Sequence, residues 1–289
     1  MLVSVRTRAG MAAATVATLG LVAGGLAPAA TGVTAERAAP PPKITVTIGK
    51  DFKKVVKPAN LRAGRFSVQL NVRRAHVTLG FVKFKKGYSF KQARADLFAT
   101  FGGDLAALHR VNTKSIFLGG LGGSRGENIT GSVVLPRGNI VMYDFGGNDL
   151  VKVGVLKIGG PKQFRPEPKV NGTVKALDMA RWGGAKTLPH KGTLRFKNEA
   201  TDSPHFMNLQ HVAAGTTRDE VLKCINDPEC QGDFFREGTA ETEVVSPGRS
   251  QTLDYDLPRG TYVLMCFYPD HMTGAPHAAM GMVRIIKLT

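Results

Sequence analysis

Several signatures of common enzyme classes are absent from the sequence. It has no His-Glu-x-x-His pair, which binds zinc in many metalloproteases, and its glycine-rich stretch at residues 119–126 lacks the lysine of a nucleotide-phosphate loop. The seven histidines include no His-x-His pair, which a multicopper oxidase would need repeatedly. We therefore expect a protein that is not an enzyme, in which residues 119–126 form a flexible crossing.

Cysteine is scarce, and its count is odd. The three cysteines are Cys224, Cys230 and Cys266. The first two flank a turn-forming Ile-Asn-Asp-Pro-Glu insert and could close a small disulfide loop, which would leave Cys266 unpaired. In an oxidising compartment a leftover thiol favours use as a ligand, although a cysteine that only packs in the core is a serious alternative.

Long apolar runs are absent beyond the N-terminus. The chain opens with Arg6 and Arg8, continues through a short run rich in Ala and Gly and reaches a small-x-small site at residues 27–29. This order predicts a secretory signal peptide over residues 1–29 and a flexible Pro- and Ala-rich leader over residues 30–42. We expect a secreted or cell-envelope-associated protein with no transmembrane span after the signal is removed.

Acidic residues are few in the first half of the chain. Residues 43–160 hold 20 basic and 6 acidic side chains, whereas residues 161–289 hold 16 and 15, within a net charge of +17 for the whole chain. Local basic clusters lie at residues 73–74 and 83–86. The asymmetry predicts docking to an anionic cell-envelope surface or to an acidic redox partner protein, and export argues against nucleic acid. A basic surface that serves only solubility is the alternative.

Short alternating segments rich in β-branched residues indicate strands along the chain, as at residues 43–49 and 192–198. Two segments have helical spacing instead. One follows Ser89, the expected N-cap, and the other begins near residue 217, where Thr216 or Thr217 is the expected N-cap.

The order of these signals repeats after a proline-rich stretch at residues 161–168. A Leu-Pro-Arg-Gly turn at residues 135–138 recurs at residues 257–260, and His76 occupies the place of His205. An identical turn between matching strand patterns indicates an internal duplication.

Each copy has several short strands with turns and a helical segment, which is typical of a β-sandwich. The sequence therefore predicts a mainly β protein. It would consist of two tandem Greek-key β-sandwich domains, residues 43–160 and residues 161–289, each with a short helical insertion.

Donor groups for a soft metal are concentrated near the C-terminus of the second copy. Cys266 ends a strand-like run, and the segment after it carries His271, His277, Met280 and Met282. Thiolate, imidazole and thioether groups are the ligands that suit copper. In the first copy an aspartate takes the place of the cysteine and the loop lacks these donors, which predicts a first domain without metal ligands.

A histidine leading into a strand, a late strand ending in cysteine and a His-x4-Met ending together resemble the pattern of the plastocyanin and azurin (cupredoxin) family. The second half is also similar to exported bacterial cupredoxin-like domains with a Gly-Thr-Tyr…Cys-Phe…Pro-His…Gly-Met ending. The resemblance implies two cupredoxin-like domains and a mononuclear copper site in the second. Its ligands would be His205, Cys266, His277 and Met282, with His271 as the substitute ligand.

Such a donor set suits both Cu(II), which prefers nitrogen, and Cu(I), which prefers sulfur, so little rearrangement accompanies electron transfer. The resemblance thus implies an exported copper-binding protein for electron transfer or copper handling. The alternative is a metal-free sandwich pair that binds the envelope or another protein, with Cys266 buried and inert.

Overall fold

The alternating segments form strands that assemble into two β-sheets. The computed structural model describes residues 39–146 and 149–289, so the predicted signal peptide and most of the predicted leader lie outside the described residues. None of the helices in the described part of the chain has the length and apolar character needed to cross a membrane.

The first half holds the strands β1 (Lys43–Ile48), β2 (Lys53–Val56), β3 (Gly64–Val72), β4 (His76–Phe84), β5 (Ser115–Ser124), β6 (Asn128–Leu135), β7 (Gly138–Asp144) and β8 (Val151–Ile158). The second half holds β9 (Gly172–Leu177), β10 (Arg181–Gly184), β11 (Thr187–Leu188), β12 (Lys191–Asn198), β13 (Asn208–Val212), β14 (Phe235–Thr242), β15 (Ser250–Asp256), β16 (Gly260–Met265) and β17 (Val283–Leu288). The helices are α1 (Phe90–Phe101), α2 (Leu105–Lys114) and α3 (Arg218–Ile225).

Both sheets extend across the two halves. One has the order β10-β9-β12-β15-β6-β3-β1-β2, and the other has the order β11-β17-β16-β13-β14-β5-β4-β7-β8. The halves join where β6 pairs with β15 and where β5 pairs with β14. Apolar side chains from both sheets share one buried core. The predicted fold class is confirmed as a mainly β sandwich of two sheets, while the boundary at residue 160 stays a prediction.

The two halves follow the same strand order. In the first half β1 pairs with β2 and, in parallel, with β3. In the second half β9 pairs with β10 and, in parallel, with β12. In the other sheet β4 lies between β5 and β7, as β13 lies between β14 and β16. A duplication would produce this correspondence, and it remains a prediction here.

The two predicted helices begin at the expected caps. Ser89 accepts a hydrogen bond from the Gln92 amide and completes a capping box at α1, and Thr217 does the same with Glu220 at α3. The sequence pattern did not predict α2, which starts at Asp104, whose carboxylate accepts from the Ala107 amide. The first half therefore has two helices between β4 and β5 where one was expected.

The glycine-rich stretch is not a flexible crossing, so that prediction is wrong. Most of it lies in β5, at the centre of a sheet. A Cβ atom on Gly120 would stand 1.9 Å from the Leu79 carbonyl oxygen, so glycine is required by close packing of two strands. The stretch also contains a Gly-x-Ser-x-Gly pattern around Ser124, but a turn into β6 follows, not the helix that a serine-hydrolase nucleophile needs.

Candidate metal centre

Three of the predicted ligands converge in the second half. The Cys266 Sγ lies 3.6 Å from His205 Nδ1 and 3.8 Å from His277 Nδ1. All three side chains are buried, and their donor atoms lie within 4.8 Å of one another. In the described part of the chain this is the one group of three or more His, Cys, Asp or Glu residues with metal-site spacing.

These distances are compatible with a shared ion. Nitrogen and sulfur donors lie about 2.0–2.3 Å from a tetrahedral or trigonal metal, so two donors of one ion stand about 3.3–4.0 Å apart. Both sulfur–nitrogen distances lie in this range. A thiolate and two imidazoles form a donor set that suits copper. The donor set therefore supports the predicted resemblance to cupredoxins and copper as the cofactor.

His205 is held by a network around one buried asparagine. The backbone of His205 forms an isolated bridge with Val245, with N–O distances of 3.1 and 2.8 Å. Asn198, at the end of β12, is fully buried, and its amide donates to the carbonyl oxygens of Ser203 at 2.9 Å and Val245 at 2.8 Å. Its side-chain oxygen accepts from the Ala200 amide at 3.0 Å. Asn198 thus fixes both segments that position His205, a role that the sequence analysis missed.

Cys266 directly follows β16, and the ten-residue segment after it folds back to bring His277 to the thiol. The His277 amide donates to the Tyr268 carbonyl at 3.0 Å, and the Ala278 amide donates to the Cys266 carbonyl. The Met282 amide then donates to the His277 carbonyl at 2.9 Å. These backbone hydrogen bonds place His277 next to Cys266, although ten residues separate them in the sequence.

The first half of the protein braces the same loop. The Tyr268 hydroxyl donates to Asn112 of α2, and the Tyr268 ring packs edge-on against Phe117, with the centroids 6.3 Å apart. Within the loop, Asp270 accepts hydrogen bonds from the amides of Met272 at 3.0 Å and Thr273 at 2.9 Å. Tyr268 therefore anchors the start of the loop to α2 and β5 of the other half.

The remaining donors take different positions. Met282 is fully buried, and its carbonyl accepts from the Trp182 indole at 2.9 Å. His271, the substitute ligand, lies outside the converging group, with its Nδ1 3.9 Å from an oxygen of Asp270. Met280 is 48% exposed. The axial role of Met282 stays a prediction.

Burial sets the protonation of the converging groups in the metal-free protein. It lowers the pKa of His205 to about 3, with a further contribution from His277, and it lowers the pKa of His277 to about 4. It raises the pKa of the Cys266 thiol to about 12. Both imidazoles are therefore neutral at neutral pH, as ligands must be, and a metal would displace the thiol proton.

The structure shows which of the three cysteines pair. Cys224 and Cys230 form a disulfide, and Cys266 is free and buried. The small disulfide loop that the sequence left open therefore forms, and Cys266 is the unpaired thiol.

An ion pair occupies the corresponding place in the first half. Asp144, the last residue of β7, is buried and pairs with Arg74 at 2.7 Å. It also accepts from the backbone amides of Gly146 at 2.9 Å and Thr78 at 3.3 Å. Hydrogen bonds and a counter-charge thus satisfy the carboxylate where the second half presents a thiol.

No family model and no curated protein sequence matches the chain. Among solved structures, it resembles reduced auracyanin from the photosynthetic bacterium Roseiflexus castenholzii, at 24% identity over 40% of this chain and 94% of that chain, with a TM-score of 0.27. Auracyanin B matches at 19% identity over 45% of this chain and 96% of that chain, with a TM-score of 0.29. A multicopper oxidase matches at 13% identity over 86% of this chain and 88% of that chain, with a TM-score of 0.22. Because these TM-scores lie below 0.5, the copper hypothesis rests on the donor atoms of the site.

Proposed function

We propose that the protein is a cupredoxin-like copper protein that transfers electrons or handles copper through one ion. The convergence of His205, Cys266 and His277 carries this proposal. Copper would supply a one-electron redox couple when bound. The residues of the chain hold the two imidazoles and the thiol in fixed positions and exclude water, because all three are buried on a hydrogen-bonded frame. Met282 is proposed as the weak axial ligand.

Titration of the purified protein with Cu(II) tests this function. We expect one equivalent to produce an intense visible thiolate-to-copper absorption band, because a thiolate in the ligand set gives that transition. The band should be lost in Cys266→Ser. It should persist in the matched control Met265→Leu, because Met265 packs in a separate apolar cluster.

Two results would argue against copper binding through Cys266. If the folded wild-type protein, with Cys266 reduced, shows no thiolate-to-copper band at any pH, the result favours the metal-free binding module. Retention of the band in Cys266→Ser would exclude this thiol as the ligand.

We also propose that the protein is exported and that its basic first half docks to an anionic envelope surface or an acidic redox partner. Exposed lysines of the first half support the docking, among them Lys53 and Lys54 on the edge strand β2. Arg74 contributes less than the sequence suggested, because Asp144 neutralises it.

Sedimentation with anionic phosphatidylglycerol vesicles tests the docking. Binding should be strong at about 0.01 M salt and largely lost at about 1 M, because the screening length falls from about 30 Å to about 3 Å. The double variant Lys53→Gln/Lys54→Gln should bind more weakly, whereas Lys186→Gln/Lys287→Gln, with two exposed lysines of the second half, should bind as wild type. Equal losses in the two double variants, or no binding at low salt, would argue against docking by the first half.

A further inference from the structure

A cavity of about 390 Å³ lies beside the metal centre. Its walls come from α1 and α2 of the first half, from β14, and from the segments that follow two of the proposed ligands. Phe206 follows His205, and Phe267 follows Cys266, and both line the cavity. Sites for small molecules in proteins have volumes of about 300–1,000 Å³. The cavity is large enough for a small organic ligand.

The lining is rich in aromatic side chains. Seven phenylalanines and two tyrosines contribute to the wall. Phe101 and Phe267 are 59% and 42% exposed, so apolar rings also stand at the surface of this region. Exposed large apolar side chains grouped around a concave surface are typical of ligand-binding grooves. The body of a matching ligand is therefore aromatic.

The polar groups of the lining include two glutamates, Glu241 and Glu243. Glu243 is buried and accepts hydrogen bonds from the Tyr143 hydroxyl at 2.8 Å and from the Val244 amide at 3.1 Å. No lysine, arginine or histidine forms an ion pair with it among residues 39–146 and 149–289. Burial raises the pKa of its carboxyl to about 7. A buried carboxyl without a cation costs stability, and such groups are frequent at functional sites.

The neighbouring glutamate has partners of its own. Glu241 lies 3.3 Å from His76 Nε2 and accepts from the Asn208 amide at 2.7 Å. Glu243 is therefore the carboxyl of the cavity that has no cationic partner. Two carboxyls in the lining disfavour an anionic ligand, and a cationic ligand would stabilise the ionised form of Glu243, which burial disfavours.

We propose that this cavity binds a small aromatic amine, with its ammonium group against Glu243 and its ring among the phenylalanines. Aromatic faces around the ammonium add cation–π attraction. This binding involves none of the proposed metal ligands and does not depend on copper.

Isothermal titration of the metal-free, full-length protein with naphthylmethylamine tests the proposal. We expect saturable binding at one site. Naphthylmethanol, which has the same shape without the charge, should bind at least about tenfold more weakly, because a hydrogen bond to a charged group is worth about 1.5–3 kcal/mol. Naphthoate should not bind. Because copper is absent from the experiment, its outcome is independent of the proposed electron-transfer function.

Variants locate the site. Glu243→Gln should lower the affinity for naphthylmethylamine by about tenfold or more, because it removes the charge and keeps an acceptor for Tyr143. Glu237→Gln is the matched control, because Glu237 is exposed on β14, the strand that precedes Glu243, and does not line the cavity. The variant should bind naphthylmethylamine with the affinity of wild type. Ala93→Leu, which fills the cavity from α1, should also weaken binding.

Two results would overturn the proposal. One is the absence of binding by naphthylmethylamine to the folded wild-type protein at millimolar concentration. The other is equal affinity for the amine and the alcohol that survives Glu243→Gln. If Glu243→Gln does not fold, then Ala93→Leu and the comparison of the three probes with wild type decide the question.

Discussion

Replacing His277 by alanine is expected to lower the affinity for Cu(II) by about 100-fold or more, whereas replacing His271 should change it by less than about threefold. Loss of an outer-shell partner of a metal ligand already costs about 10–100-fold in affinity, so loss of a ligand should cost at least as much. His277 places Nδ1 3.8 Å from the Cys266 sulfur, while His271 lies outside the converging group. Competition with a chromophoric chelator measures both affinities.

The pair of variants forms its own control, because both histidines lie on the same loop. Thermal unfolding of the two metal-free variants separates an effect on the ligand from an effect on the loop. If His271→Ala lost as much affinity as His277→Ala, the loop would have to rearrange around the metal, and the metal-free positions would not describe the bound site.

Local patterns in the sequence were sufficient for the elements that depend on neighbouring residues. Alternation predicts the strands because side chains of a strand face opposite sides, and the caps at Ser89 and Thr217 predict helix starts because each side chain satisfies a free amide. The glycine-rich stretch at residues 119–126 was predicted as a flexible crossing, but most of it forms β5. Residues 119–123 are all glycine except Leu121, so they show no alternation that could signal a strand. The crowding at Gly120 that demands glycine comes from β4, which is distant in sequence.

The pairing of strands between the halves could not be predicted. Alternation can show that a strand has a buried face, but it does not identify which strands pair, as β5 does with β14 and β6 with β15. The cavity beside the metal centre was missed for the same reason. Its wall combines residues from both halves that share no sequence motif, and the sequence around Glu243 does not show that its carboxyl is buried.

The candidate site was predicted in part. The donors after Cys266 form a compact pattern, and the structure brings His277 to the thiol. The other half supports the start of the loop, because Tyr268 contacts Asn112 and Phe117 there. The first half thus supports the loop of the proposed copper site, in addition to any docking by its basic surface. Asn198 gave no signal at all, because a single asparagine at the end of a strand is an ordinary feature.

Replacing Asn198 by alanine is expected to lower the free energy of unfolding by about 3 kcal/mol and the affinity for Cu(II) by about tenfold or more. The substitution leaves the buried carbonyl of Ser203 and the amide of Ala200 without their partner, and it removes one of the two donors to the Val245 carbonyl, which keeps the His205 amide. An unsatisfied buried polar group costs about 1–3 kcal/mol, and relaxation of the neighbouring atoms offsets part of the total cost. Urea unfolding of the metal-free protein and chelator competition measure the two effects.

The combination of effects distinguishes positioning from general stability. Asn128→Ala is the control, because Asn128 is exposed and accepts only from Arg73 at 3.1 Å, so it should change stability by less than about 0.5 kcal/mol and leave copper affinity unchanged. Asn198 holds the Ser203 and Val245 carbonyls together, and Val245 in turn pairs with the His205 backbone. A loss of stability without any loss of copper affinity would therefore mean that His205 keeps its position without this network, and that Asn198 supports the fold alone.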